Sequence, residues 1–186
     1  MARVYHTPRL TIRPWKDADR APFAALNADT VVMEYFPAPL SRSESDSMIA
    51  RIEADFARHG FGFWAVETRV SPTFIGLVGL SRPRFESSFT PCVEIAWRLA
   101  RESWGKGYAT EAAAKVLEIG FTAFDLQEIV SFTVPQNRSS RRVMEKIGML
   151  REPLEDFIHP NLNLEHPLSK HVLYRISEGQ WRSRMT

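Results

Sequence analysis

The stretch WGKGYATEAAAKVLEIGFTAF, residues 104–124, joins a glycine turn to a helix. In the helical part Ala109, Ala112, Ala113, Val116, Leu117, Gly120 and Phe124 fall at i, i+3, i+4, i+7, i+8, i+11 and i+15, one continuous apolar stripe. Glu111, Lys115, Glu118 and Thr122 fill the other face, with Glu111 and Lys115 spaced for an i,i+4 ion pair. Apolar strand candidates flank the segment at 92–99 and 128–134. Strand, helix, strand predicts a right-handed parallel crossover. In the turn, Gly105 and Gly107 let the chain bend sharply and leave room for a ligand to approach the main chain. The free N–H groups of the first helical turn then favour an anion. The same glycines would equally shape a plain strand-to-helix turn. A P-loop is excluded because Lys106 is followed by Gly107, and a dinucleotide fingerprint because position 110 is Thr.

Outward from this segment the pattern changes. Arg9 to Arg13 alternates like a strand, and Lys16 to Ala28 reads as a helix. Pro37 and Pro39 break the chain; Ser41 to Ser45 then opens a second helix to about Arg58, with Met48, Ile49, Ile52 and Phe56 on one stripe and Gly60 stopping it. Three strands follow at 62–68, 74–81 and 92–99, the first two joined by the turn Val70-Ser71-Pro72. The loop 82–91 is longer than a tight hairpin needs. After the 128–134 strand, a short helix runs over 138–147, capped by Asn137 and ended by Gly148. The last strand candidates are 150–158 and 171–176. Successive strands without helices between them pair antiparallel; the crossover adds a parallel pair. The expectation is one α+β domain over 1–186, a mixed, mostly antiparallel sheet of six to seven strands flanked by four helices.

Composition bounds the function. The chain has 186 residues, 44% hydrophobic and 25% charged, which suits a globular domain rather than a disordered one. No segment approaches the roughly 20 apolar residues of a membrane span. Met1 to Leu10 has no apolar core of a secretory leader. A single cysteine, Cys92, excludes an internal disulfide framework and an all-cysteine metal site, and the cytoplasm is the expected compartment. The net charge is +2, carried by 19 Arg and 5 Lys. That suits an anionic small ligand and is no nucleic-acid footprint. Arg182 and Arg184 read as a frayed basic tail.

With these blocks in order, the chain resembles the GCN5-related N-acetyltransferases (GNAT), and within them the RimJ/RimL-like ribosomal-protein N-terminal acetyltransferases. The family motif Gln/Arg-x-x-Gly-x-Gly/Ala stands here as Trp104-Gly105-Lys106-Gly107-Tyr108-Ala109, with the Trp frequent in that subgroup. Further matching blocks are Arg9 to Trp15, Gly62 to Val66 with Ile75 to Leu80, Glu94 to Leu99, and Asn137 to Ser140 with Glu145 to Met149, spanning residues 8 to 177. The resemblance implies acetyl transfer from acetyl-CoA to an amine, by direct attack of the amine on the thioester. The acceptor would be a protein N-terminus or a small molecule such as an antibiotic or polyamine. No membrane or direct nucleic-acid partner is implied, and a homodimer is left open. The resemblance puts the pyrophosphate on the backbone of Gly105, Lys106, Gly107, Tyr108, Ala109 and Thr110, and the pantetheine arm along Trp97, Arg98 and Leu99. It puts Asn137 on the pantetheine arm and Ser140 near the sulfur, where it would protonate the leaving thiolate.

Each of these residues also has a plainer reading. Lys106 would serve as a solvated lysine. Glu94 lies on the strand face with Ala96 and Arg98, opposite Val93, Ile95, Trp97 and Leu99. A mid-strand carboxylate needs a reason: either an ion pair with Arg98, or the catalytic base that takes the amine's proton. Asn137 and Ser140 suit helix capping as well as ligand contact. Arg138, Arg141 and Arg142 form either a phosphate-facing or a solvated helix face. His159, His166 and His171 share no helical register, so acceptor contact is preferred over zinc for His159 or His166. Cys92 reads as a buried strand residue, and Phe61, Phe63 and Trp64 as core. The competing classes are an acyl-CoA-binding regulatory module without catalysis and, on the basic excess alone, a nucleic-acid-binding protein. Acceptor identity is expected to lie in the first two helices and the loops 82–91 and 159–170.

Overall fold

The computed structural model describes residues 3–184, so the two residues at each end of the expected 1–186 domain lie outside it. Nine strands and five α-helices form among the described residues. They run β1 (Tyr5–His6), β2 (Leu10–Arg13), α1 (Arg20–Ala28), α2 (Arg42–His59), β3 (Phe63–Thr68), β4 (Phe74–Ser81), β5 (Glu94–Leu99), α3 (Tyr108–Ala123), β6 (Glu128–Thr133), α4 (Arg138–Lys146), β7 (Leu150–Arg151), β8 (Phe157–Ile158), β9 (Lys170–Ser177) and α5 (Glu178–Ser183). The sheet order is β1-β2-β3-β4-β5-β6-β9-β7, with β8 paired to β9 beside β7. Every pair is antiparallel except β5–β6. The expected α+β fold is present.

The elements beyond the expected count are short. β1, β7 and β8 have two residues each. The stretch 150–158 does not run as one strand, because Pro153 opens a 3-10 turn over Pro153–Glu155. Proline's missing N–H and fixed φ interrupt a ladder. Glu178–Ser183 form a helix, with Arg184 at its C-cap, in place of the frayed tail expected at Arg182 and Arg184. Ser177 and Gln180 make a reciprocal capping box, Arg182 pairs with Glu178 at 2.6 Å, and Trp181 packs on Phe121 at 5.3 Å.

Core packs on both faces of the sheet. On one face α3 buries Ala112, Ala113, Val116, Leu117 and Phe121 against Leu10, Ile12, Trp64, Val78 and Ile95. On the other, α1 and α2 bury Phe23, Leu26 and Ile49 against Leu77. Phe61 and Trp64 are core, as expected, and Phe63 packs against the second cluster. The buried Arg13 ties β2 to the start of α1 through both oxygens of Asp19, at 2.6 and 2.8 Å, and reaches Glu67 at 2.7 Å. Gly76 fixes the β4–β5 contact: its φ is +139°, and a Cβ there would lie 2.1 Å from the Arg98 carbonyl oxygen. The backbone at Arg98 is thus held against β4 at close range.

Candidate active site

β5 and β6 share a single rung. Glu94 lies opposite Val130, whose N–H donates to the Val93 carbonyl at 2.9 Å. Past that rung β5 stays paired to β4 over its length and β6 to β9, but not to each other. The sheet therefore splits into a wedge that opens toward the C-terminal ends of both strands. A cleft of about 720 Å³ occupies the opening. Both strands, the turn before α3, residues along the length of α4, the segment 31–37 and the loop after β8 line it.

Two of the five helix starts, α1 and α3, have no side-chain cap, and of these only α3 opens on the cleft. Ser41, Asn137 and Ser177 cap α2, α4 and α5 with their side chains. The N-cap of α3 is Gly107, which supplies no cap and sits in the left-handed region at φ +79°, two residues after Gly105 at φ +73°. Tyr108, Ala109 and Thr110, the first turn of this 16-residue helix, line the cleft with Gly105, Gly107 and Trp104. Uncapped amides and the positive end of the helix dipole make this an anion site.

One side chain organises the turn from behind. Arg9 donates to the Lys106 carbonyl at 2.8 Å and to Glu111 at 2.6 Å, and stacks on Tyr108 at 4.8 Å. Glu111 also accepts from the Thr7 hydroxyl at 2.6 Å and the Arg9 backbone at 2.9 Å. The i,i+4 pair of Glu111 with Lys115 is not made; Lys115 turns to Glu118 at 2.7 Å. The tertiary partners win because they supply three hydrogen bonds against one exposed ion pair. The Lys106 side chain is exposed and outside the cleft lining. Burial opposes ionisation of Glu111, yet the bonds from Thr7 and Arg9 hold its carboxyl below the usual range. Its contribution is therefore full above the ordinary carboxylate pKa and lost as pH falls through the lowered value. Glu111→Ala is expected to lose about 1–3 kcal/mol at pH 7, with the gap to wild type closing in acid. Denaturant titrations across pH measure this; equal stability at pH 7 would remove the clasp as an energetic contact.

Glu94, Ala96 and Arg98 share the β5 face turned toward α1, and all three line the cleft. Glu94 accepts from the Ser81 hydroxyl at 3.4 Å, across the β4–β5 pair. The Glu94–Arg98 ion pair is absent. Arg98 instead donates to the Asn27 side-chain oxygen and lies over the Phe36 ring at 4.1 Å. With no counter-charge, burial pushes the Glu94 carboxyl up to about 8, against the pull of the Ser81 bond. Burial likewise lowers the Arg98 guanidinium to about 10. A carboxyl near 8 is matched to proton exchange at neutral pH.

Across the wedge, Asn137 and Ser140 line the cleft from α4. The Asn137 oxygen accepts from the Ser140 N–H at 3.1 Å and its amide donates to Thr133 at 3.1 Å, so it is a cap that still has one N–H and one lone pair to offer. The Ser140 hydroxyl makes no hydrogen bond among the described residues. Arg142 lines the cleft, whereas Arg141 turns to the Pro135 carbonyl and Tyr174.

His159 and His171 face the cleft with their rings 5.0 Å apart. His166 does not; its ring nitrogen accepts from the Leu168 N–H inside a turn. Phe85, Phe89, Phe132 and Phe157 pack around the pair, with Phe85 4.7 Å from His159 and Phe132 6.0 Å from His171. Burial lowers both imidazoles, His171 to about 4, so they stay neutral at physiological pH. Among the described residues no three His, Cys, Asp or Glu side chains converge as a metal site. Burial raises the Cys92 thiol to about 11, which keeps it protonated and a poor nucleophile.

A family model described as the acetyltransferase (GNAT) domain matches residues 9–150. This chain belongs to the GNAT acetyltransferase family. The GNAT chain is 31% identical over 147 residues to the uncharacterized N-acetyltransferase YnaD of Bacillus subtilis (strain 168), covering 78% of this chain and 82% of that one. It superposes on the acetyltransferase (GNAT family) from Bacillus anthracis with a TM-score of 0.78 and 25% identity, over 95% of this chain and 99% of that one. The spermidine N-acetyltransferase from Vibrio cholerae, solved with CoA and spermine, superposes with a TM-score of 0.74 over 95% and 99% of the two chains; at 20% identity this is likeness of fold. The enzyme is an N-acetyltransferase with acetyl-CoA as cosubstrate.

Several residues of this GNAT cleft carry no local signal. Val31 to Pro37 lines it because α1 and α2 fold over the β5 face, and Ser131, Phe132 and Thr133 because β6 diverges from β5. The loop 82–91 backs the histidine wall through Phe85 and Phe89 without lining the cleft itself. No helix of the described residues is long and apolar enough to cross a membrane.

Proposed function

We propose that this GNAT enzyme acetylates a primary amine that enters from the α1–α2 side, with a protein N-terminus or an extended small molecule as acceptor. The observation that carries the reading is one cleft holding both an uncapped helix start and a carboxyl near 8. Acetyl-CoA supplies the activated thioester. The amides from Gly105 to Thr110 hold the pyrophosphate, and Trp97, Arg98 and Leu99 offer β5 backbone groups along the wedge. Lys106 adds surface charge outside the cleft. Asn137 uses its spare amide hydrogen on the pantetheine arm. Glu94 accepts the proton that the attacking amine releases, and the unpartnered Ser140 hydroxyl donates one to the departing thiolate. The reading treats residues 1–186 as one acetyltransferase domain of the cytoplasm, where thiols stay reduced. A subgroup likeness to RimJ/RimL enzymes favours the N-terminal acceptor.

The test is incubation with acetyl-CoA and a panel of free-N-terminus peptides, polyamines and amino-bearing small molecules, with thiol release and acetyl mass gain as readouts. Turnover of one class identifies the acceptor; no thiol release with any of them overturns the reading. Ser140→Ala is expected to lower kcat by about 10²-fold, the lower end of the range for a lost general acid, with little change in acceptor KM. A defect confined to KM would remove Ser140 from the thiolate step.

A further inference from the structure

We propose that the acceptor carries a carboxylate in addition to its amine, and that Arg98 receives it. The proposal rests on the acetyl-transfer reading of the cleft. Arg98 sits on the same β5 face as Glu94, two pleats nearer the open end of the wedge, about 13 Å away by strand rise. Its guanidinium is held in place rather than neutralised. Phe36 stacks on one side, and one nitrogen is tied to Asn27, which is itself fully buried and donates to Ser45 at 3.0 Å. No carboxylate pairs with it among the described residues. Glu94 points to Ser81 instead, and the exposed Glu34, which also lines the cleft, makes no ion pair with it. Its Nε is buried and has no hydrogen-bond partner.

A half-buried guanidinium with a fully shielded, unused Nε and no counter-ion is costly for a structural residue, because partial burial taxes the charge and the unused donor. Methionine or leucine would fill the same space without that cost. The pre-oriented planar fork, with donors to spare, matches a carboxylate. Burial also depresses the guanidinium, as expected of a cation lacking its partner. Such a carboxylate would belong to a free amino acid with its amine several bonds away, or to an acidic side chain near a peptide N-terminus.

The experiment compares matched acceptors with acetyl-CoA: 4-aminobutyrate and 6-aminohexanoate against their amides and the plain alkylamines, and peptides starting Asp or Glu against Asn or Gln. Acids are expected to exceed their amides by about 10- to 100-fold in kcat/KM. The free-acid and peptide arms distinguish the two sources. Arg98→Met should abolish the preference. Asn27→Asp, nearly isosteric, should abolish it too by giving the guanidinium an internal counter-ion, and it keeps the test alive if Arg98→Met does not fold. A preference for amides, alkylamines or spermine, or an acid preference that survives both substitutions, overturns the proposal. If no amine is acetylated, the acetyl-transfer reading fails separately. Calorimetry of the CoA-saturated protein with glutarate then decides Arg98: binding lost in Asn27→Asp supports it, and no binding by wild type overturns it.

Discussion

Glu94→Gln lowers kcat by about 10²–10⁴-fold at neutral pH while leaving CoA affinity unchanged, if Glu94 takes the amine's proton. The amide keeps the shape of the side chain and its contact with Ser81 while removing the proton acceptor. Wild-type activity should rise with pH through about 8, the value set by burial of Glu94. The variant should lose that limb and keep only the ionisation of the acceptor, so its deficit widens as pH rises through about 8 and then levels off. Stability should move the other way. Between the ordinary carboxylate pKa and about 8, folded Glu94 holds a proton that the unfolded chain has released, so wild-type stability falls as pH rises across that window. Glutamine has no such penalty, and the variant should gain in melting temperature relative to wild type above pH 8. Normal turnover of the true acceptor by Glu94→Gln at neutral pH would end the base assignment.

Gly107→Asp is the second large effect, on cosubstrate binding. Position 107 is left-handed at φ +79°, which Asp and Asn tolerate better than other non-glycine residues. A Cβ there meets only the tip of Arg9 at 3.4 Å. Gly107→Asn therefore controls for backbone and bulk, and Asp adds a negative charge at the uncapped start of α3. A unit charge about 4 Å from a phosphate is worth up to ~4 kcal/mol in a partly solvated site, so CoA affinity should fall at least about tenfold below that of the Asn variant. Calorimetric titration measures both. Equal affinity in the two folded variants would move the pyrophosphate elsewhere.

What was legible from the residues follows their range of interaction. The α3 stripe, the helix start at Ser41 and the glycine turn depend on neighbours within a few positions, and they read correctly. The α5 helix was equally local, since Ser177 and Gln180 have capping-box spacing, but the charged arginines after it masked the signal. The clasp of Glu111 was not legible, because Arg9 comes from 102 residues away. Nor was the separation of Glu94 from Arg98, which is decided by Asn27 on α1, 71 residues distant. Among the histidines, two residues of β8 pairing with β9 bring His159 to the cleft and leave His166 in a turn. Periodicity carries no information about so short a pairing.

The single rung between β5 and β6 leaves the molecule with two interior edges. An exposed strand edge is a template for another chain, and proteins ordinarily blunt it with charge, proline or a covering helix. Here the edges past Glu94 and Val130 border the cleft instead of facing outward. The diverging strands leave unpaired main-chain groups on both sides of the cleft, open to an extended guest with alternating donors and acceptors. A feature that would make an outer strand prone to aggregation becomes, by being folded inward, a filter for the shape and amide content of what enters.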